Sequence, residues 1–101
     1  MKICERSIDA RKPSGETLEL SVQLYLPQPD DDPDGDWSCR LAILGLDKEI
    51  EGRIHGVDSF QALLNSIKVI DAHLKRIERG QGLRLTWLGM DDLGFNLNIP
   101  G

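Results

Sequence analysis
Gly56-Val57-Asp58-Ser59-Phe60-Gln61-Ala62-Leu63-Leu64 marks the point where strand-like alternation ends and the one long helical pattern of the chain begins. Asp58 has the residue type of an N-cap, whose carboxylate accepts from the free N–H groups of a first helical turn. Gln61, three residues on, can reach back to close a capping box. From Ser59 to about Glu78, Phe60, Leu63, Leu64, Ile67, Ile70, Leu74 and Ile77 recur at spacings of three and four, which predicts a helix with one apolar stripe. Such a helix spans about 30 Å, enough to cross several strands about 4.8 Å apart. Lys75, Arg76 and Arg79 sit where the helix dipole favours cations, and Gly80 is the expected residue just past the end.

Upstream, the pattern has the period of strands. Leu18, Leu20, Val22, Leu24 and Leu26 alternate with Thr17, Glu19, Ser21, Gln23 and Tyr25, as in a half-buried strand. Residues 3–11 alternate more weakly, with Cys4, Ile8 and Ala10 on the expected inner face, and Pro13-Ser14-Gly15 turns the chain back into a hairpin. Trp37, Cys39, Leu41 and Ile43 define a third strand opposite Ser38, Arg40 and Ala42. Ile50, Gly52, Ile54 and Gly56 line a fourth, opposite Glu49, Glu51, Arg53 and His55. Two glycines on that inner side weaken it or leave room for close helix packing. Leu83, Leu85 and Trp87 suggest a fifth strand after the helix, and Leu93, Phe95, Leu97 and Ile99 alternate in a tail over 91–101 that pairs, docks or stays loose. The expected fold is α+β, a single domain over 1–101 in which an antiparallel sheet of four to five strands (β-β-β-β-α-β) carries one long helix on one face.

The 101 residues suffice for one core without obligatory staples. No apolar run approaches the roughly 18 to 20 residues of a membrane span, and the N-terminus lacks the apolar centre of a signal peptide. A soluble, cytoplasmic protein with no membrane partner is the expectation. Cys4 and Cys39 lack zinc-site spacing and read as free, partly buried thiols, with a bridge only if their strands pair.

The formal charge of −5 is concentrated in one place. Residues 1–29 and residues 37–101 each balance their acids and bases, so the whole excess belongs to Asp30, Asp31, Asp32, Asp34 and Asp36 in the loop over 27–36. Phosphate backbones are repelled by such a loop, and no basic footprint for nucleic acid exists elsewhere. Asp30-x-Asp32-x-Asp34-Gly35 resembles the opening of a calcium-binding EF-hand loop, yet the twelfth position is Leu41 rather than a glutamate and the flanks read as strands. Asp30, Asp32, Asp34 and Asp36 remain candidate ligands for a weak calcium or magnesium site, with calcium the cofactor the sequence suggests. The competing reading is a solvated acidic hairpin loop.

His55, Asp58 and Ser59 contain the residue types of a nucleophile system, but Asp58 is committed to capping and His55 projects from a strand. No phosphate loop, HExxH or GxSxG is present. No catalytic residue is assigned, and the expected function is a small non-enzymatic module that binds a protein partner. Its sharper form is an acidic, immunity-like inhibitor, with a calcium-responsive domain as the alternative. Asp31, Arg53, His55 and Trp87 are the candidate partner-binding residues. An antiparallel sheet with one helix leaves its second face solvated or covered by a partner. Trp37, Trp87 and the tail carry surplus apolar surface, and a homodimer would form through a sheet edge or the tail.

Asp36-Trp37-x-Cys39, Ile43-x-Gly45-Leu46, Gly56-Val57-Asp58-Ser59-x-Gln61-Ala62-Leu63, and Leu85-x-Trp87-Leu88-Gly89 with Gly94-Phe95 together resemble a family of short bacterial proteins known only as a domain of unknown function. The resemblance extends over nearly the whole chain. It implies a bacterial, cytoplasmic, stand-alone domain and carries over no activity and no catalytic residue.

Overall fold
A computed structural model describes residues 1–31 and 36–95. Strands β1 (Lys2–Arg11) and β2 (Thr17–Tyr25) form the expected hairpin, in register through Ile8↔Leu20 and Ala10↔Leu18. The turn is closed by Lys12 N–H donating to the Glu16 carbonyl at 2.8 Å and Gly15 N–H donating to that of Lys12 at 2.9 Å. β4 (Trp37–Leu44) pairs β2 through Leu41–Leu44 on one edge and β5 (Ile50–Gly56) along nearly its whole length on the other. β3 (Gln28–Pro29) pairs Ser38 and Trp37 at the start of β4. From Leu24↔Leu41 to Gln28↔Ser38 is four steps on one strand and three on the other. The extra residue is a bulge, and β3 prolongs the line of β2 along the same edge of β4. β6 (Arg84–Thr86) pairs β1 only at Asp9–Arg11.

Across the sheet the lines therefore run β5, β4, β2 with β3, β1 and β6, every pair antiparallel. Among the described residues the sheet has six strands rather than four or five, because two residues of the Pro/Asp stretch find ladder partners where their composition reads as loop.

The helix α1 (Ser59–Gln81) is 23 residues long, about 35 Å, and packs mainly on β4 and β5. Asp58 Oδ1 accepts from Gln61 N–H at 2.7 Å, as its position predicts. Gln61 Oε1 accepts from Val57 N–H at 2.7 Å, one residue upstream of the amide that a capping box would satisfy. The helix runs past Gly80 and stops at Gly82, whose φ of 63° is left-handed. Gly80 lacks that conformation and simply continues the helix.

The buried face also differs from the apolar stripe. Ala62, Ser66, Ile70, Leu74 and Ile77 are buried, whereas Phe60 is 76% and Leu64 44% exposed. The cause lies at Gly56, where any Cβ would collide with the backbone nitrogen of Ala62. So close an approach leaves Ala62 and Ser66 as the fully buried residues of the first turns, with Leu63 and Ile67 half-buried against the core, and turns Phe60 and Leu64 outward. Ser66, fully buried, satisfies its hydroxyl by donating to the Ala62 carbonyl at 2.7 Å.

The core joins the inner faces of β1, β2 and β4 to Ile70, Leu74 and Leu85. Ser38 and Ala42, read as outward positions of β4, are also buried, since β4 is flanked by strands on both sides. Cys39 is buried as expected, but Cys4 is exposed, because α1 crosses away from the start of β1. Both thiols are free, and β2 lies between their strands. Leu93 and Phe95 pack against the core, while Leu97 and Ile99 lie outside the described residues. Among the described residues no helix is long and apolar enough to cross a membrane.

Gly56→Ala is expected to destabilise the fold by about 1–3 kcal/mol through overpacking against the helix backbone. Gly52→Ala, where a Cβ meets nothing within 4 Å, should stay within about 0.5 kcal/mol of the parent. Removing the cap in Asp58→Ala should cost about 1 kcal/mol. Urea denaturation of the three variants measures all of these differences.

Candidate partner surface on the uncovered sheet face
Successive residues of a strand point to opposite faces, so the positions that alternate with the core of β4 and β5 lie on the face away from α1. There the register sets Ser38 opposite His55 and Arg40 opposite Arg53. Beside them the hairpin that leaves β3 supplies Asp30, and Asp30 N–H donates to the Asp36 carbonyl at 2.8 Å, tying the two ends of the acidic loop together. The Asp30 carboxylate contacts His55 Nδ1 at 2.9 Å. It also accepts from the Ser38 hydroxyl, which together with His55 holds its pKa below the usual carboxylate value. The Asp30 side chain is only 17% exposed while that of His55 is 64% exposed, so the imidazole forms the outer surface of the cluster.

The two arginines have different surroundings. Arg40 is paired with Glu51 at 3.1 Å and lies over the Tyr25 ring at 4.6 Å, which fixes its guanidinium. Arg53 forms no ion pair within 4 Å among the described residues, although its charge acts on Asp30. Like charges directly opposed on neighbouring strands are unfavourable, and Glu51 and Asp30 offset this pair. Both arginines, with Tyr25, Gln28 and Ser38, line a shallow polar cavity of about 120 Å³.

Ser38, Asp30 and His55 bring together the residue types of a nucleophilic triad in a different order. The carboxylate stands between serine and histidine, so the hydroxyl donates to Asp30 and the imidazole is not its base. The candidate group read near the helix entry is dispersed: Asp58 caps the helix, Ser59 opens it, and His55 turns to Asp30.

Of the four candidate calcium ligands, Asp32 and Asp34 lie outside the described residues, Asp30 is engaged by His55 and Ser38, and Asp36 closes the loop through its carbonyl. No three metal-ligating side chains converge among the described residues. Among the candidate partner contacts, Asp31, Arg53 and His55 belong to the same end of the sheet, and Asp31 is exposed. Trp87 does not join them. It lies beside β1 at the far edge, half-buried, with the Arg6 guanidinium 3.9 Å from its ring centre and Phe95 on the same guanidinium at 4.8 Å.

Arg6 also donates to the Leu93 carbonyl at 3.0 Å, so Trp87 is part of the device that holds the C-terminal segment against β1. That stack borders an apolar cavity of about 230 Å³ lined by Cys4, Val22, Leu24, Ile67, Ile70 and Phe95. Ser38, Arg40 and Tyr25 are the site residues missed in the sequence. Their outward parity was legible, but their proximity to Arg53 and His55 depends on the register.

A second carboxylate network lies on the same face. Glu5 is hydrogen-bonded by Lys2 and then by Ser21, which lowers its pKa from 4.5 to about 2. A carboxylate whose folded pKa is depressed contributes stability above its unfolded pKa and loses that contribution as pH falls through the folded value. Stability should therefore decline between the ordinary carboxylate range and about pH 2, where Glu5 is protonated. Glu5→Gln and Asp30→Asn are each expected to flatten that decline, read as the urea midpoint against pH.

No match to this chain was found among curated proteins or among solved structures. A family model described as "Domain of unknown function (DUF6968)" matches residues 4–97, which include the helix and all the strands but for the first two residues of β1. With nearly its whole length matched, this chain belongs to the DUF6968 family, a domain of unknown function.

Proposed function
We propose that this chain is a small non-enzymatic interaction module that receives a protein partner on its uncovered sheet face, at the end where the acidic hairpin emerges. The observation that carries the reading is the Asp30–His55–Ser38 cluster beside Arg40 and Arg53. It is an ordered set of charged and hydrogen-bonding groups on an open face, whose serine is tied to a carboxylate rather than to a base. Complementary charge across an interface steers association and selects partners more than it adds raw affinity. The five aspartates between residues 30 and 36 favour a basic partner surface, as in an acidic, immunity-like inhibitor that covers a basic site. In this reading the domain acts in a bacterial cytoplasm.

Replacing Asp30, Asp31, Asp32, Asp34 and Asp36 together by asparagine should weaken partner capture at least tenfold and remove its salt dependence. The measurement is affinity against ionic strength for a partner recovered by cross-linking. Affinity unchanged by those substitutions would exclude the loop as the contact. Millimolar calcium is expected to produce neither heat in calorimetry nor a shift in melting temperature. A saturable heat would favour the calcium-responsive alternative.

A further inference from the structure
We propose that the free edge of β5 pairs with the same edge of a second copy of this chain, antiparallel and centred on Gly52, joining two sheets into one. β5 pairs β4 on one side only, and no described strand lies on the other. A free edge presents unpaired N–H and C=O groups, and edges are commonly blunted by proline, a bulge, short length or an inward charge. β5 has none of these: its seven residues pair β4 without a register shift, and its inward positions are Ile50, Gly52, Ile54 and Gly56. At its C-terminal end the His55 carbonyl accepts from Asn65 Nδ2 of α1 at 3.1 Å, so the open stretch of the edge is the part before His55, around Gly52. The opposite edge is different. β6 has three residues, and the outer part of β1 adjoins the segment held by Arg6.

The sequence of this edge is complementary to itself. Glu49 and Glu51 precede Arg53 and His55 on the outer face. In an antiparallel pair centred on Gly52, Glu51 of each copy stands opposite Arg53 of the other, and Glu49 opposite His55. On the inner face Ile50 meets Ile54, and the two Gly52 residues meet at the two-fold axis, where no side chain intervenes. Such a contact is isologous and closes on itself. It supplies Arg53, which has no ion pair within 4 Å among the described residues, with the second copy's Glu51. Glu51 already touches Arg40 at 3.1 Å and would lie between two guanidinium groups. Opposite charges directly across antiparallel strands are stabilising, and like charges in the same place are unfavourable.

Light scattering after size exclusion, over micromolar to millimolar concentration, should find the unmodified chain shifting from monomer to dimer. Glu51→Lys and Arg53→Glu, each alone, set like charges across the axis and should hold the chain monomeric. An equimolar mixture of the two variants restores both opposite-charge pairs and should dimerise. Amide exchange in the unmodified chain needs no variant: β5 amides should slow as concentration rises while those of β6 do not. An unmodified chain that stays monomeric at the highest concentration, single variants that still dimerise, a mixture that does not, or concentration-independent β5 exchange would each overturn the proposal. None of these readouts involves the acidic hairpin, so failure here is distinct from failure of the partner reading.

Discussion

The first turn of α1 rests directly on the end of β5, because Gly56 has no side chain to hold it away, and the rest of the architecture follows from that approach. With backbone against backbone at one end, only Ala62 and Ser66 are fully buried beneath the first turns, Leu63 and Ile67 pack half-buried against the core, and the first large side chain to be fully buried is Ile70. The helix is thereby committed to β4 and β5 near its start and reaches β6 near its end. One corner of the sheet, where β1 begins and β2 ends, receives no helix. The chain covers part of it with Leu93 and Phe95, fixed by the Arg6 guanidinium between Trp87 and Phe95. A cation between two aromatic faces gains from both, and its long stem packs as an apolar group would.

The opposite face of the sheet is organised by hydrogen bonds rather than by packing. Glu5 with Lys2 and Ser21, Arg40 with Glu51 and Tyr25, and Asp30 with Ser38 and His55 each join a carboxylate or a cation to partners on neighbouring strands or loops. Exposed pairs of this kind contribute little stability individually, typically well under about 1 kcal/mol. Their more direct effect is orientation. Side chains that would sweep freely through solvent are held in a fixed pattern of charge.

Much of this fold was legible in the sequence because its signals are local. The alternation in Thr17–Tyr25, the turn at Pro13-Ser14-Gly15 and the cap at Asp58 each concern residues close in the chain, and each appears as the pattern implies. What escaped depends on contacts between distant segments. Phe60 and Leu64 fit the apolar stripe, but the stripe does not record how close a helix can come to its sheet. Gly80 and Gly82 are equivalent until the fold decides where the helix must stop. For the candidate site, Asp30, Arg53 and His55 stood out by charge and placement, whereas Ser38 and Arg40 acquire their surroundings only through the pairing of β4 with β5. Trp87 looked like surplus surface because the arginine it stacks on lies far away in sequence.

The unequal environments of the two cysteines give the molecule a built-in reporter. Cys4 is exposed on a corner the helix leaves open. Cys39 is buried beside Ser66, and burial pushes its thiol above the ordinary value. Since the thiolate is the reactive form, the first sulfur meets reagents directly and the second only when the sheet and helix part. The rate at which the second thiol is consumed therefore follows how often the core opens, and a thiol-specific dye can follow the breathing of this domain without an added probe.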